Sequence, residues 1–146
     1  GGGLPLGAFI ASNALMRHLS EDPPLGHVTT FGGHPLSAAA GAASLEVIIA
    51  GELPERAERM GRLLATLLGE RLDGGKVREI RRAGLLVGLE MSDAELAQRF
   101  TLACREQGLL VGWTLHDDRV LRLAPPLVIS EAELDEATAR MQRALP

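Results

Sequence analysis

Apolar positions along this chain change period several times, and each change predicts an element. Met60, Leu63, Leu64, Leu67, Leu68 and Leu72 recur at spacings of three and four, the signature of one buried stripe on a helix over residues 54–72. Arg56, Arg59, Arg62 and Arg71 occupy the remaining face, and Asp73, Gly74 and Gly75 end the run. From Lys76 the period shortens, and residues 77–82 and 85–91 predict two strands about Ala83 and Gly84. Ser92 and Glu95 have capping-box spacing, so a helix is expected from there to about Gln107, stopped by Gly108. Residues 109–112 and 119–123 predict short strands about a polar turn at 116–118. Pro125 and Pro126 break the chain. Ser130 and Glu133 then repeat the capping-box spacing, and Leu134, Ala137, Met141 and Leu145 mark a last helix.

The residues before Gly51 are patterned differently. GAFIAS at 7–12 is an apolar run of strand length, and 13–20 predicts one or two helical turns before the breaker Glu21, Asp22, Pro23 and Pro24. GHVTTFGGHP at 26–35 is a polar loop of small residues. Pro35 suits the first helical position, where a missing N–H costs nothing. The helix expected over 36–50 carries alanines and Gly41 where bulky residues usually stand, which lets another backbone approach. Two unlike pieces result. Residues 1–44 are loops around small-residue elements with little core of their own. Residues 45–146 hold, from about 52 onward, an α/β unit in the order helix, strand, strand, helix, strand, strand, helix.

At 146 residues, 46% hydrophobic and 23% charged, the chain has enough apolar surface to fold, which excludes a disordered polypeptide. A net charge of −4 offers no basic face to nucleic acid or to anionic lipid. Cys104 is the single cysteine, so there is no disulfide framework. The longest weakly polar stretch, 35–51, is too short for a bilayer and contains Glu46. No secretory leader pattern opens the sequence, and a cytoplasmic location is expected. Position 1 is Gly, and of the 15 basic residues Lys76 alone is lysine. Chemistry that needs a lysine nucleophile must therefore use Lys76 or a residue outside this sequence.

The loop at 26–35 reads in two ways. Thr29 and Thr30 supply hydroxyls, Gly32 and Gly33 admit a close approach of backbone N–H groups, and a helix dipole begins at Pro35, which together make an anion cradle. The alternative is a tight loop whose glycines serve only its own turns. Elsewhere the simpler readings lead. Lys76 follows a solvated turn. Cys104 falls inside a helix as a core residue. His18, His27, His34 and His116 lack the spacing of a zinc site. Asp117 and Asp118 form a turn with solvated carboxylates, and Trp113 either lines a pocket or packs. The cluster at 56–62 is a solvated helix face, with Glu55 and Glu58 interleaved.

GGGLPLGAFIAS at 1–12, HVTTFGGHPLSAAAG at 27–41, RRAGLLVGLEM at 81–91, REQGLLV at 105–111 and RLAPPLVIS at 122–130 together strongly resemble the class III aminotransferases. These are pyridoxal-phosphate (PLP) enzymes of the acetylornithine, ornithine and 4-aminobutyrate type. The resemblance implies the C-terminal part of a PLP-dependent transferase of fold type I. Residues 1–44 would end the large PLP-binding domain, and 45–146 would be linking helices and the small α/β domain. It implies a homodimer that moves an amino group between an amine or amino acid and a 2-oxo acid. Gly1, Gly2, Gly3 and Pro5 match the end of the segment that carries the Schiff-base lysine, so that lysine is expected three residues before Gly1. No catalytic residue is then expected within the chain itself, which should be inactive alone. Thr30 matches the threonine that binds the PLP phosphate of the neighbouring subunit, with Thr29 beside it. Arg122 matches an arginine near the substrate carboxylate or its gating glutamate, a role suited to its planar fork. His34 stands where the family commonly has Asn, a better N-cap, so this helix start is expected to be less well capped. Two other readings stand beside this one: a glutamate-1-semialdehyde aminomutase, whose second motif differs at 31–33, and a non-catalytic α/β domain binding a phosphorylated ligand.

Overall fold

A computed structural model describes residues 1–146 except Asp22, Leu25, Asp73 and Thr114. Asp22 of the expected breaker and Asp73 of the expected helix stop thus lie outside the described residues. The chain divides into two compact units, Gly1–Gly51 and Glu52–Pro146. Helix α2 (Pro35–Ala50) closes the first unit.

The second unit carries the core. Its helices are α3 (Leu53–Arg71), α4 (Ala94–Glu106) and α5 (Glu131–Ala144), and its strands β1 (Val77–Ala83), β2 (Leu86–Met91), β3 (Gly112–Trp113) and β4 (Val120–Leu123). The strands form one antiparallel sheet in the order β1-β2-β4-β3. Alternation makes the sheet two-faced. Val87, Leu89, Met91, Leu121 and Leu123 are buried with Leu64 and Leu68 of α3, Phe100 and Cys104 of α4, and Leu134 and Met141 of α5. Arg122 is exposed, and Gly88 and Glu90 are half-buried. The leucine stripe read from the sequence is therefore the seam between α3 and the sheet.

Glycine fixes how closely α3 approaches. A Cβ on Gly61 would collide with the carbonyl oxygen of Gly84, in the turn between β1 and β2. Arg56 also departs from the expected solvated face: its Nε donates to the Leu127 carbonyl at 3.1 Å and its Nη2 to those of Val128 and Ile129. An arginine whose planar fork can reach successive carbonyls leaves solvent to hold a loop. Arg71 similarly bonds Asp135 and Thr138 of α5. Arg62 does pair with Glu58 along the helix, at 2.8 Å.

Capping follows the sequence with one shift. Ser130 and Glu133 close a full capping box on α5. On α4 the cap is Asp93 rather than Ser92, because Asp93 Oδ1 accepts the Leu96 N–H at 2.8 Å, while the Ser92 hydroxyl donates to Asp93. The Leu96 N–H, then Ser92, hold the Asp93 carboxyl below the usual carboxylate range, and the Ser130 N–H does the same for Glu133. A depressed folded pKa contributes stability that is present above the unfolded value and lost as pH falls through the folded one. Melting temperature should therefore fall on acidification below about pH 4. Asp93→Asn, which keeps the acceptor but cannot titrate, should lose less over the same range, as thermal melts at stepped pH will read.

The first unit has α1 (Asn13–Arg17), capped by Ser12, and α2. Residues 7–12 form no strand, since none of the described residues in this unit offers them a ladder. The predicted strand at 109–112 is likewise reduced to β3, starting at Gly112. The small residues of α2 admit neighbours as expected: a Cβ at Gly2 would stand 2.5 Å from the Ala40 carbonyl oxygen, and the Leu6 side chain fills the space over Gly41. None of the described residues from Gly1 to Gly51 is buried. Among the described residues no single helix is long and apolar enough to cross a membrane.

Candidate functional site

The first candidate is the loop before α2. Its turns are set by the Gly32 N–H donating to the Thr29 carbonyl at 3.3 Å and the His34 N–H donating to that of Phe31 at 3.1 Å. Gly33 adopts φ 70°, a left-handed conformation that favours glycine. A Cβ at Gly32 would sit 2.5 Å from Thr29 Oγ1, so glycine there leaves the hydroxyl its place. Thr29 and Thr30 are both exposed. The first helical bond runs from the Ala38 N–H to the His34 carbonyl, and His34 caps α2 with no side-chain hydrogen bond. The poor cap expected from His34 is thus observed. It leaves the Leu36 and Ser37 N–H groups available to an acceptor from outside the helix.

The second candidate is Arg122 on β4. In register it is flanked by Gly88 on β2 and Gly112 on β3. Its guanidinium lies over Gly112, with Nη2 3.5 Å from where a Cβ would be. Neighbouring arginines are engaged: Arg81 with Glu79 at 3.0 Å and Glu90 at 3.3 Å, Arg119 with Asp117 at 2.8 Å and Glu90 at 3.6 Å. The Arg122 guanidinium has no hydrogen-bond or ion-pair partner among the described residues. An exposed guanidinium on a central strand, unpaired beside an ion network, is placed to meet a carboxylate from outside.

The remaining sequence candidates fall elsewhere. Lys76 lies between α3 and β1, and its Nζ donates to the Pro146 carbonyl oxygen. Cys104 is wholly buried on α4, where desolvation pushes its thiol up to about 11 and keeps it protonated. Asp117, expected as a solvated turn carboxylate, is instead held below its ordinary range by the Arg119 guanidinium and backbone N–H. Trp113 is half-exposed on β3. His27 meets Phe9 edge-on at 6.3 Å, and His34 lies beside Phe31 at 6.0 Å. Sequence reasoning passed over Gly88 and Gly112. Glycine inside a predicted strand was the available signal.

Residues 1–145 match the family model for class III aminotransferases. The chain belongs to the class III aminotransferases. Its similarity to an acetylornithine aminotransferase from Methanothermobacter thermautotrophicus is 41% identity over 138 residues, covering 94% of this chain and 34% of the relative. An ornithine aminotransferase 2 from Staphylococcus saprophyticus is 38% identical over 142 residues, 97% of this chain and 34% of that protein. Among solved structures, an aminotransferase from Bacillus anthracis superposes with a TM-score of 0.78 at 34% identity, over 86% of this chain and 31% of the other. The ornithine aminotransferase from Toxoplasma gondii, whose active site holds PLP at partial occupancy, gives 0.77 at 35% identity, over 89% and 30%. The class III chain thus spans about a third of the length of the relatives it matches. Its mixed α/β fold with a small antiparallel sheet is that of the transaminases, as the motifs implied.

Proposed function

We propose that this chain is the C-terminal part of a PLP-dependent, homodimeric, cytoplasmic aminotransferase. Residues 1–44 would end its large domain, and 45–146 would form linking helices and the small domain. The observation that carries the reading is the unpaired guanidinium of Arg122 in a chain of this family. Arg122 pairs in two-pronged fashion with the carboxylate of an amino acid or 2-oxo acid and so fixes the substrate's orientation.

The loop before α2 fits the phosphate of PLP. The Thr29 and Thr30 hydroxyls, the space that Gly32 leaves and the uncapped Leu36 and Ser37 N–H groups are neutral donors suited to an anion. When bound, PLP supplies the electron sink for the carbon that carries the amino group. Thr30 serves the cofactor of the neighbouring subunit. The apolar side chains that the first unit exposes, among them Phe9, Ile10, Phe31, Val47 and Ile49, are covered by the rest of the large domain and by a partner subunit. Lys76, held at the Pro146 carbonyl, takes no part, and the Schiff-base lysine belongs ahead of Gly1.

Two of the relatives named above suggest the donors to try. The full-length parent, supplied with PLP and 2-oxoglutarate, should transfer the amino group of L-ornithine or N-acetyl-L-ornithine. Borohydride reduction of that holoenzyme should leave no cofactor adduct on Lys76, as peptide mass spectrometry will read. Absence of transfer from both donors and from L-alanine, or a stoichiometric adduct on Lys76, would overturn the proposal.

A further inference from the structure

Gly88 is a glycine that the fold does not require. Its backbone is not in the left-handed region, unlike that of Gly33 or Gly84. A Cβ there would make only ordinary contacts, 3.7 Å from Val120 Cγ1 and 4.0 Å from Arg81 Nε. Glycine within a strand costs stability relative to any residue with a side chain to pack, and its presence often marks a close approach by something outside the sheet.

What lies beside Gly88 is Arg122. One rung of the sheet reads Arg81, Gly88, Arg122, Gly112 across β1, β2, β4 and β3. Above it is a shallow trough of about 350 Å³, lined by Arg81, Leu86, Gly88, Val120 and Arg122 among others. Glu79 and Glu90 neutralise Arg81, and Arg82, which also lines the trough, pairs with Glu58, so Arg122 is the trough's uncompensated charge. Leu86, half-exposed on the same face, adds apolar surface. The Arg122 guanidinium rests over Gly112 and not over Gly88, where Val120 and Arg81 make only ordinary contacts with a Cβ position.

We propose that Gly88 is a specificity-determining residue. It forms the bare floor on which the carbon chain of a carboxylate ligand lies while its carboxylate meets Arg122. The inference rests on the carboxylate-binding reading of Arg122 and adds to it where the rest of the ligand goes. The substrate class it selects is an aliphatic carboxylic acid long enough to cross the β2 strand. A side chain at 88 would fill the trough without touching the charge.

The test uses the full-length holoenzyme and a probe series of unbranched monocarboxylates, from acetate to hexanoate, as inhibitors competing with the amino donor. In the unaltered enzyme Ki should fall as the chain lengthens. Gly88→Val should raise the hexanoate Ki by about tenfold, the scale of a lost methylene-sized pocket, and leave that of acetate within about twofold. Its Tm should be unchanged or higher, because β-branched residues suit strands. Gly88→Ala, the smaller change, should raise the hexanoate Ki by about threefold and carries the test if the valine variant does not fold. Arg122→Lys should weaken every member of the series, acetate included. If it does not, the reading of Arg122 fails. If it does, but both Gly88 variants keep the original dependence on chain length, only the role of Gly88 is overturned. A lower Tm for Gly88→Ala would make this a packing glycine and also overturn the proposal.

Discussion

Gly61→Ala should cost the protein about 3 kcal/mol of stability, the upper range for overpacking a close contact. The added methyl would meet the backbone oxygen of Gly84, not the end of a flexible side chain. That oxygen cannot easily retreat. Gly84 holds φ 57° in the turn that pairs β1 with β2, and it also lies against Ala57 on the preceding turn of α3. Relief requires α3 to lift from the turn, which strips Leu64, Leu68 and Leu85 of contacts they make while almost fully buried. Gly69→Ala on the same helix is the control, since nothing lies within 4 Å of its Cβ position. It should stabilise the helix by roughly 0.5–1 kcal/mol. Denaturant unfolding of the two variants of the full-length parent will decide. Equal stability would mean that the approach of α3 to the turn is looser than described.

Arg122→Lys in the parent should lower kcat/KM for carboxylate-bearing substrates by about 10–150-fold, the kinetic equivalent of roughly 1.5–3 kcal/mol for a charged hydrogen bond. Lysine preserves the charge but not the planar pair of donors. With no partner for its guanidinium among the described residues, Arg122 is free to change without breaking an ion pair of the fold. PLP binding, read from the visible absorbance of the cofactor, should therefore be retained. Loss of PLP as the dominant effect would make Arg122 a structural residue.

Much of the fold was legible because its signals are local. The stripe from Met60 to Leu72, the capping box of Ser130 and Glu133, and Pro35 at a helix start each depend on residues a few positions apart. The role of Arg56 is illegible for the opposite reason. Its partners, the carbonyls of Leu127, Val128 and Ile129, are more than seventy positions away, and nothing in a helical period distinguishes a solvated arginine from one that holds a distant loop. Residues 7–12 have the apolar composition and length of a strand. A strand also needs a neighbour to bond, and its own unit offers none among the described residues. Asp93 displaced Ser92 as cap because two adjacent residues could both serve, and geometry chose between them.

The two candidate places were legible in different degrees. Thr29, Thr30 and Arg122 came from motifs, and the structure adds that the first two are exposed on a loop and that the third is unpaired. The flanking glycines were hidden in register, which pairs positions 88, 122 and 112 across three strands. No sequence window holds all of them.

Subunit mixing tests the central claim most directly, because transaminase activity, the phosphate role of Thr30 and the two-fold arrangement must all hold for it to succeed. Thr30→Val subunits of the parent, expected to bind PLP about tenfold more weakly for want of one hydrogen bond to a charged group, are mixed with subunits lacking the Schiff-base lysine. PLP is kept low enough that the Thr30→Val homodimer is largely empty. In the heterodimer one site carries both defects and the other carries neither. About half of the unaltered activity per heterodimer should therefore return, which is about a quarter per dimer in an equimolar mixture after full exchange. No recovery after verified subunit exchange would contradict the account.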